Sequence, residues 1–272
     1  MTSDARLASA SSRTARHVWE QALAPLLGQT EGALWRAHCD ALNAELLDAW
    51  LGSARYHRLL KTDLYDEAVG EGLYALLAGR ARHVVGIDVA RNAAAAASSR
   101  HRKLQAVHAD VRRLPFADTS FDAVVSNSTL DHFDQVRDIE VALANLHRVL
   151  VRGGTLLLTL DNLANPAVAL RNALPLQWLR RLGIVPYPVG ATYRPRQLNR
   201  ALERAGFEIV RTGALLHCPR ALAVAKARRL QRRGGANSQR RFLRRLMHWE
   251  RLGSLPTRYV TGYFLAVLAR KA

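Results

Sequence analysis

The chain has 272 residues, 49% of them hydrophobic and 23% charged, which is enough apolar side chain for a buried core and excludes a largely disordered chain. Forty Lys and Arg against 22 Asp and Glu leave a net charge of +18. All but Lys61, Lys103, Lys226 and Lys271 of these cations are Arg, a skew that, with the Ala and Leu content, partly reflects GC-rich coding. Cys39 and Cys218 supply neither a disulfide framework nor a metal-ligand spacing, so no metal site is expected.

The N-terminal segment lacks the apolar core of a secretory signal. No apolar run approaches the roughly 18–20 residues that span a bilayer. A soluble, cytoplasmic protein is expected. Residues 1–16, rich in Ala, Ser and Arg, read as a frayed end. Trp19, Leu23 and Leu27, then Leu34, Ala41, Leu42, Leu46, Ala49 and Trp50, recur at helical spacing on either side of Gly28–Gly32, so residues 17–57 form a helical cap.

From residue 58 the pattern turns to strands alternating with helices. Strands are predicted at Leu59–Tyr65, His83–Asp88, Leu104–His108, Phe121–Asn127, Thr155–Asp161, Phe207–Thr212 and Tyr259–Leu268. Helices are predicted at Gly72–Ala78, Ala90–His101, Val136–Val151 and Arg196–Ala205. Apolar strands in such alternation imply a parallel sheet covered on both faces. The α/β domain would occupy 58–215 and 257–272. Two insertions interrupt it: an apolar, Pro-rich segment at 165–193 and a basic helical segment at 216–256.

Four strand ends carry chemistry. Asp66-Glu67-Ala68-Val69-Gly70-Glu71-Gly72 follows the first strand and opens a helix; its glycines let backbone approach a ligand at free helix N–H groups. A tight strand–helix turn explains the same residues without a ligand. Val84–Asp88 is a buried strand ending in an acid, placed to accept both hydroxyls of a ribose or to cap the helix from Ala90. Asp110-Val111 after the third strand offers an acceptor and a backbone N–H to an adenine edge. The fourth strand ends at Asn127, and His147–Gly154 introduces the fifth.

This ordered set resembles the class I S-adenosylmethionine-dependent methyltransferases, in particular their small-molecule and lipid branch related to the quinone-biosynthesis enzymes (methyltransferase type 11). The matching residues are Asp66–Gly72, Gly86–Asp88, Ala109–Asp110, Leu114–Asp122 and His147–Gly154. The resemblance implies an α/β, Rossmann-like seven-stranded sheet whose last strand is antiparallel and inserted beside the sixth. It also implies S-adenosyl-L-methionine as cofactor. Carried over, Asp66, Ala68, Gly70 and Gly72 line its methionine part, Asp88 holds the ribose with Val89 beside the adenine, Asp110 and Val111 face the adenine, and Asn127 lies under the methionine amino group. Two departures stand out. Ala68 and Glu67 replace a glycine and an apolar residue, and Lys61-Thr62-Asp63 is polar for a first strand. Ending that strand at Asp63 would make Asp63 the contact; the spacing to Gly70 and Gly72 favours Asp66.

Methyl transfer is an in-line displacement that needs a positioned acceptor in a water-poor pocket, and a base only where the acceptor loses a proton. His132, after the fourth strand, is the candidate base, with Asp131 or Asp134 able to tune it; it also reads as a capping or packing histidine. Asp161 and Asn162 end the fifth strand, to hold the acceptor or to cap a turn. His217, Tyr187 and Tyr193 are weaker candidates. Pro166, Pro175, Pro186 and Pro188 with Leu174, Leu176, Trp178 and Leu179 wall an acceptor pocket or simply cover the sheet, and Trp35, Arg36 and Asn43 close over the cofactor or pack the scaffold.

Residues 220–251 hold eleven cations against Glu250 alone, a net +10 of the chain's +18. Apolar residues interleave with them, which reads as two amphipathic basic helices. Anionic membrane, an acidic acceptor or carrier, nucleic acid and a plain solvated face all fit. An RNA-binding module is missing from the sequence, as is the Asn/Asp-Pro-Pro-aromatic motif of base-directed methyltransferases. The expected activity is therefore methylation, at oxygen, of a small-molecule or lipid-like acceptor. The alternative is a non-catalytic basic module docking on nucleic acid or anionic membrane.

Overall fold

A computed structural model describes Glu20 and residues 32–174 and 190–272. The helix expected around Trp19–Leu27 and most of the apolar insertion, including Leu176, Trp178, Leu179, Pro186, Tyr187 and Pro188, lie outside the described residues. In chain order, α1 is Ala33–Leu51, β1 Tyr56–Lys61, α2 Tyr65–Val69, α3 Tyr74–Ala78, β2 Ala81–Asp88, α4 Arg91–Arg100 and β3 Gln105–His108. Then come β4 Phe121–Asn127, α5 Val136–Val149, β5 Leu150–Asp161, α6 Pro166–Ala173, α7 Pro195–Arg204 and β6 Phe207–Leu215. The chain closes with α8 Arg220–Arg233, α9 Ala236–His248, α10 Arg258–Thr261 and β7 Phe264–Lys271.

The seven strands form one sheet in the order β3-β2-β1-β4-β5-β7-β6. β1 pairs in parallel with β2 and β4, β2 with β3, and β4 with β5; β7 runs antiparallel between β5 and β6. Successive strand residues serve opposite faces, as the two-residue period requires. Leu60, Val85 and Ile87 join α5 and α7 in one core, while Leu59 and Val84 join α1 to α4 in another. A third cluster ties Leu34 and Leu42 of α1 to Ala223, Ala227, Phe242 and Leu246 of α8 and α9. The strand order reverses between β1 and β4, which opens a crevice at the C-terminal strand ends, the usual ligand position in such sheets.

Three predicted boundaries are corrected. The first strand is Tyr56–Lys61, not Leu59–Tyr65. Asp63 Oδ1 accepts the Tyr65 N–H at 3.0 Å, and the Lys61 ammonium donates to the Asp63 carbonyl, so the polar run turns the chain and starts α2. The fifth strand begins at Leu150, because Gly153, at φ 73°, lets residues 151–154 bulge within the strand rather than end the helix there. Tyr259 belongs to α10, and the last strand starts at Phe264.

Candidate active site

The residues singled out in the sequence fall into two groups, one at the strand ends of β1–β4 and one over β4, β5 and α6. In the first group, Asp88 ends β2. Its Oδ2 accepts the Leu64 N–H at 3.1 Å and its Oδ1 the Ala90 N–H at 2.7 Å. The helix cap is Ala90, so Asp88 braces the turn before α4 without being its N-cap. Each carboxylate oxygen keeps a further lone pair. Gly86 is small for packing: a Cβ there would meet Leu64 Cδ2 at 2.4 Å.

Where a glycine loop is expected, α2 stands instead. Glu67 is fully buried, pairs with Lys61 at 2.8 Å, and accepts the Leu73 N–H at 2.9 Å. Gly72, at φ 53°, is small because a Cβ would meet Glu67 Oε1 at 2.5 Å. The two polar departures from the family pattern are thus one feature, a buried ion pair bracing the turn. Ala68 is buried in the core beside α4, and the Gly70 carbonyl faces the His101 ring at 3.3 Å.

Asp63 and Asp66 remain partly exposed beside that pair. Burial, then the neighbouring Asp40, pushes Asp66 up to about 7. Burial likewise raises Asp63, against the pull of Lys61, and lifts Asp40 to about 6, with Glu67 adding to the rise. Burial and then Asp63 take Asp88 to about 7. Burial disfavours the charge of Lys61, but Glu67, Asp63 and Asp66 more than offset it and raise its affinity for the proton. Carboxylates therefore outnumber cations here, and their excess charge is held off by protonation.

At the next strand ends, Asp110 caps the short 3-10 turn 111–113 and is gripped by Arg112, whose Nη2 lies 2.7 Å from Oδ2. Arg112 also reaches Asp138 at 3.3 Å and stacks on Phe133 at 4.8 Å. Val111 is buried beneath, and Val89 keeps its carbonyl 3.0 Å from His108 Nε2. Asn127 donates to Asn43 Oδ1 of α1 at 3.0 Å, which brings α1 over the strand ends; its own Oδ1 is buried without a donor. Of the three α1 residues singled out in the sequence, Arg36 bonds Tyr65 and Trp35 packs on the third cluster.

In the second group, Ser128 sits at φ 45°, a strained conformation at the end of β4. The 3-10 turn Leu130–His132 follows. His132 is partly exposed and near enough for its charge to act on Asp63, across the two groups. Asp131 is buried, with Oδ2 accepting from Ser128 Oγ at 3.0 Å and from the Asp161 N–H at 2.9 Å. Residues 190–191 pair with this turn, and a Cβ on Gly190 would meet the Phe133 carbonyl at 2.1 Å.

Asp161 pairs with buried Arg171 of α6 at 2.6 Å; burial, then Asp131, lifts it to about 6. Arg171 also donates to the Tyr263 hydroxyl at 2.8 Å, and Arg220, at the root of α8, stacks over the Tyr263 ring at 4.5 Å. Asn162 is fully buried, donates to the Tyr259 and Gly262 carbonyls and accepts the Ala164 N–H. These bonds spend its amide on the scaffold. His217 is buried between Thr261 and the Ala214 carbonyl, and the Tyr193 ring is buried in the core. Sequence reasoning missed Asp40, Glu67 as a partner for Lys61, and Arg171. The available signal was two polar residues breaking one apolar motif together.

Residues 65–158 match the family model described as a methyltransferase domain. A relative from Mycolicibacterium smegmatis, described as a probable S-adenosylmethionine-dependent methyltransferase, is 28% identical over 163 residues, 59% of this chain and 58% of the relative. The chain thus matches less than two thirds of that relative's length. The N-methyltransferase NodS from Bradyrhizobium japonicum, solved with S-adenosyl-L-homocysteine, superposes with a TM-score of 0.56 at 17% identity, over 92% of this chain and 97% of that one. The cyclase SpnF superposes with a TM-score of 0.55 at 19% identity, over 85% and 81%. At such identities these superpositions establish the fold and no more.

Proposed function

We propose that the methyltransferase domain binds S-adenosyl-L-methionine at the β1–β4 strand ends and methylates a small-molecule or lipid-like acceptor at an oxygen atom. The observation that carries this reading is the excess of acid over base where Asp40, Asp63, Asp66 and Asp88 gather beside the Lys61–Glu67 pair, next to the orphaned acceptor Asn127 Oδ1. A ligand with a sulfonium and an ammonium group fits there by charge and by hydrogen bonding.

In this reading Asp88 receives the ribose hydroxyls on its remaining lone pairs, and Val89 and Val111 flank the adenine. Asp110, fixed by Arg112, presents the adenine edge. Asp63 and Asp66 border the methionine part with Asn127, while Ala68, Gly70 and Gly72 shape the turn. The bound cofactor supplies an electrophilic methyl group. His132 takes the proton of the acceptor hydroxyl, Asp161 is held by Arg171 as part of the acceptor wall, and α1 excludes water through Asn43. Asn162 acts as scaffold.

Titration calorimetry with S-adenosylmethionine tests the assignment. The full chain is expected to bind it, and Asp88→Ala to lose most of that affinity. No binding by the full chain overturns the reading, and unchanged affinity in Asp88→Ala overturns the ribose assignment.

A further inference from the structure

The geometry points to the outer face of α8 and α9 as a docking surface for an anionic lipid bilayer. This inference stands on its own observations and does not depend on methyl transfer. The inner faces of both helices are already satisfied: Ala223, Ala227, Phe242 and Leu246 are buried against α1 and Tyr263. All ten Lys and Arg from residue 226 to residue 251 are exposed. None of them forms an ion pair among the described residues, whereas Arg80, Arg112, Arg148, Arg171 and Arg204 elsewhere each pair with an acid. The one acid of the segment, Glu250, turns inward and accepts the Leu216 and His217 N–H groups, each at 3.0 Å.

Apolar side chains stand among these cations. Leu222 is 74% exposed and heads a stripe with Lys226, Arg229 and Arg233 at helical spacing. Trp249, 44% exposed, continues the stripe of Arg241 and Arg245. Exposed Leu and Trp beside arginine is the pattern that settles into a lipid headgroup layer, the apolar groups inserting while the cations meet phosphates. Nucleic acid fits less well, since single strands are gripped by a series of stacking aromatics and Trp249 is the lone exposed one here. The root of the surface touches the acceptor edge through Arg220 on Tyr263, so docking would bring that edge to the bilayer.

Co-sedimentation of the full chain with vesicles tests this. The chain is expected to bind vesicles containing phosphatidylglycerol and to ignore pure phosphatidylcholine. Reversing four exposed charges, Arg229→Glu, Arg233→Glu, Arg240→Glu and Arg244→Glu, should weaken binding by at least about tenfold. Should that variant fold poorly, Leu222→Ser with Trp249→Ser, expected to weaken binding several-fold, keeps the test open; unaltered thermal melting certifies it. Equal binding to neutral vesicles, no binding to either kind, or anionic binding indifferent to both variants overturns the proposal. So does displacement from the vesicles by an oligonucleotide at equal phosphate, with the apolar pair dispensable, which would assign the face to nucleic acid.

Discussion

The protein keeps opposite charges in two places, and they differ in how they meet water. At the β1–β2 strand ends, Asp40, Asp63, Asp66, Glu67 and Asp88 crowd around the single ammonium of Lys61, and burial shifts the proton affinities of the four aspartates upward. On α8, α9 and the 3-10 turn that follows them ten cations stand in solvent. Charge withheld from water is costly and calls for a partner; charge in water costs little. The net +18 of the chain is therefore a property of its surface, while its candidate chemistry sits in an acidic recess.

The contrast breaks most sharply at Lys61. Lys61→Met strands buried Glu67, and chemical denaturation should show a loss of about 3–5 kcal/mol. Adding Glu67→Gln, which retains an acceptor for the Leu73 N–H, should recover most of it; no recovery would mean that the pair does not brace the turn. His132→Ala is expected to lower turnover of a hydroxyl acceptor by about 10²–10⁴-fold, with cofactor affinity unchanged in the same preparation. Asp88→Ala should weaken cofactor binding by about 10–100-fold, the scale of one or two hydrogen bonds to a charged group.

The recess also predicts a pH dependence. Asp66 and Asp88 hold their protons to about 7 in the folded chain and to about 4 in an unfolded one. The folded state then binds more protons between those values, so the stability these groups contribute is full below about pH 4 and is lost as pH rises through about 7. Thermal melting across that window should fall for the ligand-free chain, and less steeply for Asp66→Asn. At the other pole, Arg233→Gln or Arg241→Gln should shift stability by no more than about 0.5 kcal/mol.

Much of the fold was legible because buried parallel strands are short apolar runs between helices of clear period. The number of strands and the antiparallel last strand beside the sixth followed from the family resemblance. What failed was local. The residues after Lys61, through Tyr65, read as strand because polarity alone does not reveal a turn closed by its own side chains, as Asp63 closes on Tyr65 and Lys61 on Glu67. Asp88, Asp110 and Asn127 were found at the strand ends because such positions are fixed by the fold. The commitment of Asp110 to Arg112 and of Asn162 to the Tyr259 and Gly262 carbonyls was not legible, since those partners are chosen by packing. Arg171, ten residues past Asp161, reaches it only because α6 folds back over β5.

Proton release on binding S-adenosylmethionine bears hardest on the acid recess. Calorimetry near pH 7 in two buffers of different ionisation enthalpy counts the protons released. A cationic ligand in this recess should ionise Asp66 and Asp88, releasing protons and tightening as pH rises through about 7. Binding with no proton release, or binding that weakens as pH rises, would contradict the recess as a site for a cation.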